Sequence, residues 1–122
     1  MTLKNIKTEY EATDALFDEP VMLIRINQLY RYDMPADELY EVTRKDWKVG
    51  SRAKTVRVAC AVYAGIIREV YSIDEWLPSP EIPGSLMFAG KVAPSEIRQK
   101  YIDKSVAHVW KRGSQNPIKY VG

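Results

Sequence analysis

The segment VMLIRINQLY, residues 21–30, constrains the fold of this chain most strongly. Its branched apolar residues, which follow Pro20, are typical of a β-strand. Because its first half is apolar at positions that point to both faces, we expect a central, buried strand. Arg25 would share one face with Leu23 and Asn27. An unpaired buried charge is costly, so Arg25 needs a nearby carboxylate or a bound anion, unless the strand end lies in water.

Two segments have helical patterns. Residues 35–47, PADELYEVTRKDW, begin with Pro35 and carry acidic residues in the first turn, where the positive end of a helix favours them. Asp33 is the expected cap of this helix. Residues 95–102, SEIRQKYI, predict a second, short helix because their apolar side chains are spaced i to i+4.

Apolar runs and alternating patterns predict further strands at residues 55–64, 66–73, 85–92 and 117–121. Gly65 between the first two indicates a hairpin, or one bent strand that turns a barrel corner. Residues 74–84, DEWLPSPEIPG, contain three prolines and therefore predict a loop without regular structure. Pro117 favours an edge position for the last strand.

This uneven order of strands and helices predicts an α+β fold. We expect a small curved antiparallel or mixed sheet, or a partly closed β-barrel, with two to three short helices. The length of 122 residues suits one domain, which we place at residues 20–122. The acidic residues 1–19 would form an N-terminal arm that contacts a partner or a second copy, and we expect a homo-oligomer.

Composition excludes several classes of protein. Cys60 is the single cysteine, so the chain has no internal disulfide and no zinc site built on several thiolates. There is no apolar run of about 18 residues, and the N-terminus lacks the apolar core of a signal peptide. We therefore expect a cytoplasmic protein that does not enter a membrane.

The charge is unevenly distributed along the chain, although the net charge is only +2. Residues 1–46 hold ten acidic side chains and six Lys or Arg, whereas residues 91–122 hold seven Lys or Arg and two acidic side chains. Such a local positive field suits a defined anionic ligand better than indiscriminate binding along a polymer. A solvated basic surface is the alternative interpretation.

Signatures of catalysis are few. The chain has one histidine, His108, and no glycine-rich phosphate-binding loop. Ser105 and His108 are three residues apart, but no third partner is evident for a nucleophile and base. Cys60 lies in an apolar strand, where a thiol is inert. We therefore expect a protein that is not an enzyme and that needs neither a metal nor another cofactor.

Signatures of binding are stronger, and they concentrate in the C-terminal tail. Lys and Arg neutralise phosphate, and Asn and Gln carry the donors and acceptors that read a base edge. Indole rings stack on bases at about 1–3 kcal/mol each, and Trp47 and Trp76, beside polar segments, are our candidates, although each also suits a core. With Arg25 and Asn27, the candidate ligand-binding residues are Lys104, Ser105, His108, Lys111, Arg112, Ser114, Gln115 and Asn116.

Four segments carry a resemblance to a known group: IRINQLYRYDMPADELYEVTRKDWKVG, AVYAGIIREVYSIDEW, FAGKVAPSEIRQKYIDKSVAH and KRGSQNPIKYV. Across residues 20–121 the chain resembles a widespread group of small, uncharacterised microbial and phage proteins. Its pattern of strands and helices is also similar to PUA-like folds of the EVE, ASCH and YTH type. That second resemblance implies a curved barrel with an aromatic-lined pocket for a base or nucleotide.

Together these observations predict a non-enzymatic protein that binds a phosphate-bearing nucleotide. The form we rank first is similar to phage anti-defence sponges, which sequester a small cyclic nucleotide signal. Three alternatives stay open: a PUA-like module that binds a modified base in nucleic acid beside a nuclease, a small enzyme acting on nucleotides through Ser105 and His108, and an interaction subunit that docks through residues 1–19.

Overall fold

The computed structural model describes residues 12–26, 30–31, 33–110 and 116–122. Five strands form one mixed sheet: β1 Val21–Arg25, β2 Val58–Tyr63, β3 Ile66–Pro78, β4 Leu86–Val92 and β5 Ile118–Val121. Two α-helices, α1 Ala36–Arg44 and α2 Ser95–Tyr101, and a 3₁₀ helix, Ser51–Thr55, complete the described elements.

The strand order is β4-β3-β2-β1-β5, and the two outer strands, β4 and β5, do not pair with each other. The sheet is therefore open rather than closed into a barrel. Strands β1 and β2 run parallel, and all other neighbouring strands are antiparallel. These features confirm the predicted α+β class and the small mixed sheet.

Strand β1 is an interior strand between β2 and β5, and both of its faces are apolar. Its first four side chains are completely buried, as predicted. Leu23 packs with the cluster on one face, whereas Met22, Ile24 and Ile26 pack with the cluster on the other. The strand ends at Arg25, earlier than the predicted residue 30, and Asn27 lies outside the described residues.

The two α-helices cover opposite faces of the sheet. Helix α1, which connects the parallel strands β1 and β2, contributes Leu39 to one core cluster. Helix α2 contributes Tyr101 to the other. A parallel strand pair needs such a crossover connection, which explains why a helix follows β1. Within the described part of the chain, no helix is long and apolar enough to cross a membrane.

A two-residue turn joins β2 to β3 and confirms the hairpin interpretation of Gly65. Ala64 and Gly65 both have positive φ, at 53° and 77°. This conformation is the hairpin turn whose twist matches the flanking strands. A Cβ on Gly65 would lie 3.3 Å from the Cβ of Ala107, so the turn is also closely packed.

The predicted loop at residues 74–84 is wrong in its first half, because β3 continues to Pro78. The N–H of Ser79 donates to the carbonyl of Ser85, at 2.9 Å. Neighbouring residues of a strand point their N–H groups to opposite sides, so position 78 faces away from β4. Strand β2 begins at Val58, opposite Ser72, and does not extend alongside position 78, so no strand needs the N–H that proline lacks.

Helix α1 ends at Arg44 rather than at the predicted residue 47, because Trp47 pairs with β4. Two backbone hydrogen bonds of 2.8 Å join Trp47 to Leu86. The predicted cap is also wrong: Asp33 has a φ of 58°, and Pro35 precedes the helix without a side-chain cap. The strand predicted from residue 55 begins at Val58, after the 3₁₀ helix.

Several outward-facing backbone groups of edge strand β4 are covered. Besides the pairing of Leu86 with Trp47, Arg44 Nε donates to the carbonyl of Phe88 at 2.9 Å. The N–H of Gly90 donates to the Tyr40 hydroxyl at 2.9 Å. Side chains and backbone from α1 and the segment after it therefore occupy part of an edge that would otherwise be open to another strand.

A strap, residues 12–19, crosses the α2 side of the molecule. Its Ala15 is buried, and the N–H of Ala15 donates to the carbonyl of Ser105 at 2.8 Å. The N–H of Ser105 donates in turn to the carbonyl of Thr13 at 2.7 Å. The strap is therefore attached by backbone hydrogen bonds as well as by apolar contacts.

The strap also makes ionic contacts with α2. Lys100 Nζ lies 2.6 Å from Glu19 Oε2, and the Tyr101 hydroxyl donates to the same oxygen at 2.8 Å. The hydrogen bond from Lys100 holds the pKa of the Glu19 carboxyl below its usual value, although partial burial opposes this shift. The ring of Phe17 stacks on Tyr101, with centroids 5.2 Å apart.

Truncation of Leu23 tests the interior, doubly covered position of β1. We expect Leu23→Ala to lower the free energy of unfolding by about 2–5 kcal/mol, because it leaves a cavity between well-packed strands. Leu16→Ala is the matched control, since Leu16 is 83% exposed and its truncation should change stability by less than about 0.5 kcal/mol. Urea unfolding of both variants measures the difference, and equal costs would contradict the assignment.

The strap contact predicts a pH dependence of stability. Because the folded-state pKa of Glu19 is depressed, its contribution is present above the unfolded-state pKa of about 4.3 and is lost as the pH falls through the folded-state value. We expect Glu19→Gln to flatten the loss of stability on acidification below about pH 4.5. Urea midpoints measured against pH provide the test. Glu96→Gln, at an exposed site on α2, should keep the wild-type slope.

Candidate anion-binding cleft beside strand β5

A cleft of about 330 Å³ lies between β5 and the segment that contains the 3₁₀ helix. This volume is near the lower end of the range for small-molecule sites. Residues from both walls line the cleft: Lys48, Val49, Gly50, Arg52, Asn116, Ile118, Lys119 and Tyr120.

Apolar contacts position both walls. Ile118 and Tyr120 lie beside Ile24 and Met22 of β1 and pack with the cluster on the α1 side of the sheet. On the other wall, Ala53 is buried in the same cluster, and its carbonyl accepts a hydrogen bond of 3.1 Å from Trp76 Nε1. The 3₁₀ helix is therefore fixed to the sheet, and the polar side chains beside it are held near β5.

The described lining of the cleft is cationic. It contains Lys48, Arg52 and Lys119 and no carboxylate side chain. No ion pair involving any of these three cations is found among the described residues. Like charges gathered without a counter-charge produce a local positive potential, so an anion of suitable size is favoured here.

Arg52 and Tyr120 form the aromatic part of the cleft. The Arg52 guanidinium carbon lies 4.8 Å from the centroid of the Tyr120 ring. Burial raises the pKa of the Tyr120 hydroxyl, and the nearby Arg52 charge opposes this shift. The phenol therefore stays protonated at neutral pH. Stacking on the Tyr120 ring holds the Arg52 guanidinium, with its planar set of N–H donors, in place.

Asn116 at the rim of the cleft joins it to the end of β1. Its side-chain oxygen accepts the N–H of Ile118 at 3.0 Å. Its backbone carbonyl accepts hydrogen bonds from Arg25 Nη2 at 2.8 Å and from Trp110 Nε1 at 3.1 Å. Arg25 also lies over the Trp110 ring, 4.6 Å from its centroid. The structure thus brings Arg25, Asn116 and Trp110 together.

Three other candidate residues lie against the strap rather than in the cleft. Lys104 Nζ donates to Thr13 Oγ1 at 3.3 Å, and His108 Nδ1 lies 3.7 Å from a carboxylate oxygen of Asp14. Ser105 is buried, and its hydroxyl accepts the backbone N–H two residues further along the chain. Asp14 is a neighbour of His108 that the sequence analysis did not identify.

The two candidate tryptophans pack into the cluster on the α1 side of the sheet. Trp47 Nε1 donates to the carbonyl of Thr43 at 2.8 Å, and the Trp76 ring meets Phe88 edge-on at 5.6 Å. Neither is among the residues that line the cleft. The remaining candidates, Asn27, Lys111, Arg112, Ser114 and Gln115, lie outside the described residues.

Sequence reasoning missed Lys48, Arg52 and Tyr120. A local signal existed, because the stretch WKVGSRAK, residues 47–54, is rich in basic residues and contains no acidic one. What the sequence could not show is that this stretch lies beside residues 116–120, since that contact requires β5 to pair with β1.

Backbone hydrogen bonds show which groups of β5 point away from the sheet. The N–H of Arg25 donates to the carbonyl of Pro117 at 2.8 Å, whereas the N–H of the next residue donates to β2. With the register of β1 and β5, this alternation directs the backbone groups of Lys119 and Val121 towards β1. Those of Ile118 and Tyr120 point outward, at the edge of the sheet.

No protein-family model, no curated protein and no solved structure matches the chain. Among the described residues, no group of three or more His, Cys, Asp or Glu side chains is placed to hold a metal ion. The functional assignment therefore rests on the geometry of the cleft.

Hydrogen exchange tests the outward edge of β5. We expect slow exchange of the Lys119 and Val121 amides, which bond to β1, and fast exchange of the Tyr120 amide. Asn116→Ala should speed exchange of the Ile118 amide by about tenfold, because one hydrogen bond is lost. Asn116→Asp keeps an acceptor and is the control. NMR resolves each amide, and a Tyr120 amide as slow as that of Lys119 would refute the alternation.

Proposed function

We propose that this protein binds a phosphate-bearing nucleotide in the cleft and holds it without converting it. The observation that carries the proposal is the gathering of Lys48, Arg52 and Lys119 around one concave space whose described lining has no carboxylate. Phosphate oxygens are the natural counter-charge for such a group, since they accept charge-assisted hydrogen bonds from both lysine and arginine.

Each cation suits a different part of this task. The planar fork of Arg52 can grip two phosphate oxygens, and its position over Tyr120 reduces the ordering that binding requires. Lys48 adds a point charge from the wall opposite β5. The side chain of Lys119 projects from the other face of β5 than that of Tyr120, and it adds its charge at the edge of the cleft. A phosphate between the walls would relieve the repulsion between these three cations.

Binding without turnover is supported by the chemistry of the lining. Its described residues include neither a carboxylate nor an imidazole, which are the most frequent general bases. His108 is beside Asp14 on the strap and is not among the lining residues. The protein would therefore act by lowering the free concentration of its ligand.

The specific form we propose is sequestration of a small cyclic nucleotide signal, as in a phage anti-defence sponge. The cleft volume of about 330 Å³ suits one nucleotide unit, so the rest of a cyclic di- or trinucleotide would project from the open side. The resemblance to small phage proteins motivates the biological role. A homo-oligomer would place several such clefts in one assembly.

A nucleic-acid-binding module is the second candidate, favoured by a separate group of rings. Tyr30 and Tyr63 lie 4.6 Å apart, and Arg68 lies over both rings, 5.9 and 5.6 Å from their centroids. Aromatic side chains with a cation suit stacking on single-stranded bases. Polymer binding would depend steeply on salt because many counterions are released, whereas a small ligand would show a shallower slope.

Titration calorimetry against cyclic mono-, di- and trinucleotides tests the proposed function. We expect at least one ligand to bind, and Arg52→Gln or Lys119→Gln to weaken it by about 10- to 100-fold, because each removes a charge-assisted hydrogen bond. Lys91→Gln is the matched control: Lys91 is also exposed on an edge strand, but on β4.

Two results would contradict the proposal. One is the absence of heat across the whole panel. The other is equal weakening by the Lys91 control, which would indicate a diffuse charge effect instead of a site. Chromatography of the ligand after long incubation separates sequestration from catalysis, since only a binder returns the ligand intact.

A further inference from the structure

The outer edge of β5 presents three successive backbone groups: the carbonyl of Ile118, then the N–H and the carbonyl of Tyr120. Their direction follows from the pairing of Lys119 and Val121 with β1. The N–H of Ile118 is already satisfied by Asn116. No hydrogen bond to the three remaining groups is found among the described residues. The edge therefore offers an acceptor, a donor and an acceptor in order.

This backbone edge borders the cleft. Ile118, Lys119 and Tyr120 are consecutive, yet all three line the same space. Their side chains alternate between the two faces of the sheet, so the space that all three line extends to the backbone of the strand. The inner edge is bonded to β1, which leaves the outer edge with its three backbone groups.

The two edges of the sheet differ in this respect. On β4, other parts of the chain bond both outward groups of Leu86, the carbonyl of Phe88 and the N–H of Gly90. On β5 the described chain leaves the corresponding groups uncovered, and they lie beside the cationic cleft. An edge that is left open next to a concentration of positive charge suits a ligand that is both anionic and rich in hydrogen-bonding groups.

We propose that the outer edge of β5 reads the base of the bound nucleotide and that this base is adenine. The inference rests on the proposed function. The Watson–Crick edge of adenine presents the N6 amine as a donor, N1 as an acceptor and C2–H as a weak donor. This order complements the carbonyl of Ile118, the N–H of Tyr120 and the carbonyl of Tyr120, the last through a C–H···O contact.

The other bases mismatch this pattern. Guanine presents an acceptor, a donor and a donor, so no alignment satisfies all three backbone groups. Cytosine matches the first two groups, but its O2 would face the carbonyl of Tyr120. Uracil places a carbonyl at each end of its edge and a donor between them, which is the reverse of what the strand needs. A polar group buried against a like group costs free energy, so these bases should bind more weakly.

A peptide is a poorer fit to the same edge. Strand addition draws its affinity from a long ladder of backbone bonds, and β5 has four residues. Pro117 and Lys119 are residue types that discourage the addition of a further strand. The positive charge of Lys48, Arg52 and Lys119 instead complements a phosphate attached to the base.

A ligand series separates the base from the phosphate. The probes are AMP, purine riboside 5′-monophosphate, which lacks the N6 amine, GMP, and ribose 5-phosphate, which lacks the base. We expect AMP to bind most tightly, the two other nucleotides about tenfold more weakly, and ribose 5-phosphate more weakly still. Equal affinity for all four would overturn the base inference and leave the proposed function standing. No binding to any of the four would overturn both.

A substitution on the protein side removes the central donor. Tyr120→Pro deletes an N–H that points away from β1, so the ladder to β1 is retained. Tyr120→Val is the matched variant, because it also lacks the tyrosine ring but keeps the N–H. We expect Tyr120→Pro to bind AMP about tenfold more weakly than Tyr120→Val, with equal affinities for ribose 5-phosphate. Equal affinities of both variants for AMP would overturn the inference.

Slow exchange of the Lys119 and Val121 amides in Tyr120→Pro shows that β5 is still paired. If this variant loses the pairing, the ligand series alone decides: purine riboside 5′-monophosphate binding as tightly as AMP rules out a contact to the N6 amine, and a tenfold loss supports it.

Discussion

The burial of β1 on both faces is the constraint on which the rest of the structure depends. A strand whose first four side chains are fully buried must have neighbours along both edges and layers on both sides. One edge is filled by β2, which requires the α1 crossover, and the other by β5. The cleft exists because these two requirements bring residues 48–52 and residues 116–120 to one side of the sheet.

Much of the fold could be predicted from local patterns. The apolar run of β1, the turn at Gly65 and the proline before β5 each specify a conformation through nearby residues. The errors arose where a distant partner decides the outcome. Trp47 leaves the helical path because Leu86 pairs with it, and β3 passes through Pro78 because the missing N–H faces a side without a strand. No local pattern contains that information.

The candidate site was predicted less completely, for the same reason. The basic tail and Asn116 were visible in the sequence, and Asn116 does line the cleft. The tryptophans that looked suitable for stacking are instead packed into the sheet, while Tyr120 lies beside Arg52. Net charge along the chain identifies where cations are concentrated. It does not identify which of them face one another, because that depends on strand order.

The two walls of the cleft are more than sixty residues apart in the chain, and only the paired sheet holds them together. An unfolded chain cannot present both walls at once, so a ligand that bridges them has affinity for the native state alone. By mass action, such a ligand raises the free energy of unfolding by RT ln(1 + [L]/Kd), where [L] is the concentration of free ligand. Because edge strand β5 has a single neighbouring strand, most of this stabilisation would apply to β5. Its pairing with β1 would then become cooperative with saturation of the cleft.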